Sequence, residues 1–152
     1  MFNENLKLSG ELSIVLKDKD GNIKDQRELK NLVVDSGLAY IISRMVGTAK
    51  NVMSHMALGS STTATASGQT DLVSMLGARE PIDSTTINGS VNQKVTYVSN
   101  FEAGDATGAV TEAGVFNAST GGDMLCRTVF PVVNKQADDT MAITWTITLA
   151  AA

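Results

Sequence analysis

Leu12, Ile14 and Leu16 alternate with Ser13, Val15 and Lys17, and this period of two predicts a strand over residues 11–17 with one buried face. Asp18-Lys19-Asp20-Gly21-Asn22 follows, and an Asp-Gly pair between strands is a hairpin signal. The return strand is expected from Ile23 to about Val34, with a very polar first half whose charges blunt edge-to-edge pairing. The period then changes. Leu38, Ile41, Ile42 and Met45 stand at i, i+3, i+4 and i+7, which predicts one apolar stripe on a helix near residues 36–47. Asp35 or Ser36 is expected to cap its start and Gly47 to end it.

Residues 53–58 read as a short strand and 59–69 as a loop of Ser, Thr, Ala and Gly. Residues 71–76 are too few to decide between a turn of helix and loop. Strands are predicted over 92–101, 110–117 and 124–133, the last two parted by Thr120-Gly121-Gly122-Asp123. In the final strand Met141, Ile143, Trp145, Ile147 and Leu149 point one way, and Thr140, Thr144, Thr146 and Thr148 the other. One face belongs in a core; the other is wet or pressed on a polar neighbour. Many short strands with one helix predict a mainly β fold, an antiparallel β-sandwich or flattened barrel. Residues 11–152 are expected to form this single β-rich domain, and residues 1–10 an N-terminal arm.

Composition narrows the function. At 152 residues, 43% hydrophobic and 18% charged, the chain can bury a core without disulfides or metal. No run reaches the roughly 18 apolar residues of a spanning helix, and the Met-Phe-Asn-Glu start lacks the pattern of a signal peptide. No membrane partner is therefore expected, and a net charge of −4 argues against a nucleic-acid partner. One cysteine, Cys126, and one histidine, His55, seed neither a disulfide nor a histidine-rich metal site.

The candidate chemistry is sparse. Asp18-x-Asp20-Gly21 departs from a calcium loop, because glycine comes fourth and the twelfth residue, Leu29, is not an acid. His55 has no local carboxylate or nucleophile and reads as a polar residue at a strand edge or subunit surface. Cys126, expected on one face with Met124 and Phe130, reads as a small core hydrophobe. No phosphate-binding glycine motif is present. Glu112 is the acid that stands out: it lies inside a predicted strand, on the face of Val110 and Phe116, and if buried it must find donors. Backbone amides of a neighbouring loop, Arg79 or Arg127 are the candidates. No catalytic residue, cofactor or metal site is expected, and the chain reads as non-enzymatic.

The order of segments carries a resemblance. Asn31-Leu32-Val33-Val34-x-x-Gly37 leads into the helix, followed by Met53-Ser54-His55-Met56-Ala57-Leu58-Gly59 and the Ser/Thr-rich loop. Then come Val95-Thr96-Tyr97, Thr111-Glu112-Ala113-Gly114-Val115-Phe116-Asn117, Met124-Leu125-Cys126-Arg127-x-x-Phe130, and Ile143-Thr144-Trp145-x-Ile147. Over about residues 11–149 this resembles small virion structural proteins of tailed bacteriophages, with related patterns in collar and tail-fibre attachment modules. The resemblance implies a capsid decoration (cement) protein, made in the bacterial host cytoplasm and carried on the virion surface. Its partners would be the major capsid protein lattice and copies of itself, a trimer by the habit of such proteins.

A collar, neck or tail-fibre adaptor is the alternative. A carbohydrate-binding module is a third reading, although only Trp145, Tyr40 and Tyr97 offer large polar-tipped rings. Phe2, Leu6, Thr144 and Thr146 are the expected interaction residues. Glu112, Gly114, Phe116 and Trp145 are the expected structural ones.

Overall fold

The computed structural model describes residues 5–47 and 49–151. Its strands are β1 (Leu6–Lys17), β2 (Ile23–Val33), β3 (His55–Gly59), β4 (Glu80–Pro81), β5 (Ser84–Asn88), β6 (Lys94–Phe101), β7 (Gly108–Phe116), β8 (Met124–Lys135) and β9 (Thr140–Ala151). Among the described residues one helix, α1 (Asp35–Ser43), follows β2. The strands hydrogen-bond in the order β4-β3-β7-β8-β2-β1-β9-β6-β5, and the antiparallel sheet curls into a half-barrel, which fits the predicted sandwich or flattened barrel.

The β2–β8 junction is held by only two residue pairs, Leu32–Arg127 and Val33–Cys126. There the sheet bends and brings its two halves face to face. Leu12, Ile14 and Leu16 from β1 and Ile143, Trp145 and Ile147 from β9 meet Met56, Leu58, Val115 and Phe130 from the other half. Burial of this apolar surface is the main force holding the fold. The other face of β3, β7 and β8 is covered by the loop over 60–79. Beneath it Leu72 packs with Val34, Ala57, Phe116 and Met124.

Two register slips on β8 decide which side chains face the core. Val110 opposes Val133, but Glu112 opposes Val129. Val110 therefore packs in the main core, while Glu112 turns to the loop side, so the two do not share a face as the alternation predicts. A second slip falls between Val115 and Phe116 and sends Met124 to the cluster under the loop, leaving Cys126 in the main core. Such bulges insert unpaired residues and re-aim side chains, and simple alternation cannot foresee them.

Helix α1 also differs from expectation. It is capped at Val34 without a side-chain bond, and it ends at Arg44, short of Gly47. The Ser36 hydroxyl donates instead to the Met124 carbonyl at 2.6 Å. Its buried residues are Gly37 and Tyr40, while Leu38, Ile42 and Met45 are 47%, 62% and 79% exposed. Gly37 sits on the backbone of Leu125, where a Cβ would overlap the carbonyl oxygen. With Gly37 and Tyr40 turned inward, Leu38 and Ile42 face outward, while Ile41 of the predicted stripe packs against the core.

Other expectations shift by smaller amounts. Residues 71–76 form bends and a single bridge from Met75 to Gly59, not a helical turn. Strands β4 and β5 were invisible to periodicity. Leu6 belongs to β1, paired with Ala151, rather than to an arm, and its side chain is exposed; Phe2 lies outside the described residues. The 18–22 turn is held by the Asp18 carboxylate, whose Oδ1 accepts the amides of Asp20 and Asn22 at 2.9 Å each. These bonds, chiefly the one from Asn22, hold the Asp18 carboxyl below its usual range.

Candidate functional site

The most elaborate polar arrangement is centred on Glu112, which is fully buried. Its Oε2 accepts from Arg127 Nε at 2.9 Å, Arg127 Nη2 at 2.8 Å and the Val73 amide at 3.1 Å. Oε1 accepts from the Ser74 amide at 2.7 Å and the Ser61 amide at 3.3 Å. Arg127, equally buried, also donates from Nη1 to the Thr63 carbonyl at 3.0 Å and to Gln69 Oε1 at 3.1 Å. Of the partners named from sequence, backbone amides and Arg127 are present. Arg79 lies elsewhere, stacked 3.6 Å over the Phe116 ring and bonded to the carbonyls of Ala118 and Gly121.

This geometry is a fastener. Five donors occupy the two oxygens of Glu112, and every donor comes from β8 or the loop that crosses it. A general acid or nucleophile needs a free lone pair directed at a substrate; here the lone pairs are spent on chain already in place. Gly59 makes the room, since a Cβ there would overlap both Glu112 Oε1 and the Ser74 carbonyl. Gly114 does the same for Leu72 and Phe116, at 3.0 Å from each.

His55 Nδ1 lies 2.8 Å from Ser54 Oγ, and burial followed by the charge of Arg79 depresses its pKa. The ring sits on a strand flanked by Pro81 and Phe116. Cys126 is buried, and burial pushes its thiol well up, which opposes thiolate chemistry. Lys135 is buried as well, with Nζ donating to the Glu102 carbonyl at 2.8 Å, and desolvation lowers its pKa. His55 is on β3, while Cys126 and Lys135 stand at opposite ends of β8, so the three do not converge. Trp145, the largest candidate platform for a sugar, is fully buried.

What the fold does present is surface of two kinds. The outer face of the β5-β6-β9-β1-β2 half is polar, with Thr86, Thr96, Thr146, Glu11 and Lys30 in one cross-strand row. Thr96 and Thr146 hydroxyls lie 3.2 Å apart. Thr144 and Thr146 line a shallow groove here with Glu11, Ser13, Glu28 and Lys30. At one end of the sandwich the surface is apolar. The outward stripe of α1 stands there, and beneath the helix a cleft of about 560 Å³ runs between Tyr40, Met53, Val95, Tyr97 and Ile147. Burial pushes the Tyr97 phenol far above its ordinary range. Sequence reasoning missed this cleft, because its walls come from six separate segments of the chain; the exposed apolar residues Val52 and Ile87 were its signal.

No protein-family model, no curated protein and no solved structure matches this chain.

Proposed function

We propose that this chain is a non-enzymatic structural protein of a tailed-bacteriophage virion, a decoration or cement protein that binds the outer surface of the assembled head. The observation that supports the reading is the apolar stripe of α1. Leu38 and Ile42 lie on one face of α1 and Met45 just past its end, and all three are left in solvent, while Ile41 packs against the core. Exposed apolar side chains gathered on one element mark a surface that a partner covers. The order of sequence segments supports the kind of partner. Its members are the capsid lattice and further copies of this chain, arranged around a symmetry axis so that many small contacts act together. The threonine-lined face with Thr144 and Thr146 is the second contact surface in this reading.

Co-sedimentation of the purified protein with stripped mature heads tests the proposal, together with sedimentation of the free protein for its oligomeric state. Saturable binding to heads in many copies, with weak binding to unassembled capsid subunits, is the expected result. Equal binding to free subunits overturns it, and attachment only at the tail vertex replaces it with a collar or tail-fibre adaptor.

A further inference from the structure

Strand β5 ends the sheet: among the described residues β6 is its one neighbour, and none pairs with its second side. Ser84-Thr85-Thr86-Ile87-Asn88 contains no charge and no proline, the usual guards of an edge. The opposite end of the sheet differs, since β4 is two residues long and one of them is Pro81. Thr85 and Ile87 of this unguarded edge also line the cleft under α1, where Ile87 is 68% exposed. The charged residues lining the cleft are Arg44 and Lys94, both cations, in a chain whose net charge is −4.

From this juxtaposition we infer that β5 and the cleft receive an extended segment of a partner protein. The segment pairs with β5 as an added strand, sets alternate apolar side chains into the cleft, and turns the intervening carboxylates toward the face where Lys94 stands in register with Asn88 and Thr148. The inference rests on the reading above that this end of the molecule is covered in an assembly, and it names the chemistry of the cover. Strand addition draws its affinity from main-chain hydrogen bonds and its specificity from pockets for alternate side chains. The free edge supplies the first and the cleft the second. A small amphiphile would fill the cleft, whose volume suits one, but would leave the edge unused. A second copy meeting this one across a twofold axis would set each patch against itself and oppose cation to cation.

The test is a titration of isotope-labelled protein, followed by amide resonances, with two synthetic peptides. One alternates valine with glutamate, and the other alternates valine with lysine. The expected result is saturable shifts at Ser84–Asn88, Lys94 and Tyr97 with the glutamate peptide, and at least tenfold weaker binding of the lysine peptide. Ile87→Asp, at an exposed position, should weaken the glutamate peptide at least tenfold and leave the melting temperature unchanged. Four results overturn the inference: no saturable shift with either peptide, equal binding of both, shifts at the cleft with sodium decanoate alone, or a doubled mass without peptide. A protein that still sediments with mature heads after such a failure retains the virion reading and loses only this partner chemistry. Peptide binding without head binding does the reverse.

Discussion

The indole N–H of Trp145 on β9 donates to Asn31 Oδ1 on β2 at 2.8 Å, although β1 lies between the two strands. The bond is made where β1 has no side chain. Gly10 opposes both Asn31 and Ile147, and a Cβ there would overlap the Asn31 amide. One glycine thus lets a polar side chain cross a strand and satisfy the largest buried ring of the core.

Gly10→Ala should therefore displace the Asn31 amide and leave the indole N–H without its acceptor, at a cost of about 1–3 kcal/mol. Trp145→Ala should cost roughly 3–5 kcal/mol, because it also removes the ring from a fully packed site. Urea unfolding of the two variants and the parent measures both. A Gly10→Ala protein as stable as the parent would show that the bond contributes nothing.

Glu112 and Arg127 call for a paired test. Glu112→Gln removes the charge that balances a buried guanidinium and should cost about 3–5 kcal/mol. The combined change Glu112→Leu with Arg127→Met should recover part of that loss, since two apolar side chains leave no buried charge. Hydrogen exchange of the Val73 and Ser74 amides should rise in Glu112→Gln before the core strands open, because those amides donate to the carboxylate. Uniform exchange across β1, β9 and the loop would show that the pair does not fasten the loop.

The strong alternation of β9 and the burial of Trp145 are legible in the sequence because a strand half in a core writes its two faces directly into residue type. Glu112 is legible for another reason: a carboxylate among apolar residues demands donors, and only a few donor-bearing neighbours were available. Where β8 slips register, the reading fails. The residue that resets each face is an ordinary one, and the slip is fixed by pairing with β7. The orientation of α1 fails similarly, since it depends on Gly37 meeting the Leu125 backbone from 88 positions further along. Strand β5 left no periodic trace because both its faces are largely open to solvent.

Acid should unfold the protein partly through Asp139. Its carboxylate accepts from Lys24 Nζ at 2.6 Å and from the Gln136 amide at 2.8 Å, and the Lys24 bond is the chief cause of a pKa below the ordinary 3.8. The unfolded chain then binds more protons than the folded one between the two values. Stability from this group is complete above about pH 3.8 and is lost as pH falls toward the lower folded value. Asp139→Asn should flatten the acid limb of a stability-against-pH curve in that window. An unchanged limb would place the acid sensitivity elsewhere.

The outward stripe of α1 gives the most direct test of whether this face serves assembly or folding. Residues that build the core destabilise the isolated chain when made polar, commonly by more than 1 kcal/mol, whereas exposed positions stay within about 0.5 kcal/mol. Ile42 and Met45 are 62% and 79% exposed, so Ile42→Ser with Met45→Ser should leave the melting temperature of the free protein nearly unchanged. The same pair should weaken attachment to stripped heads, because it removes apolar area that only a partner can bury. Tyr40→Ala, on the buried side of the same helix, should do the opposite and lower stability first. The separation of the two readouts carries the argument. A double serine variant that binds heads as well as the parent would remove α1 from the interface and leave the threonine face of β9 as the surface to test.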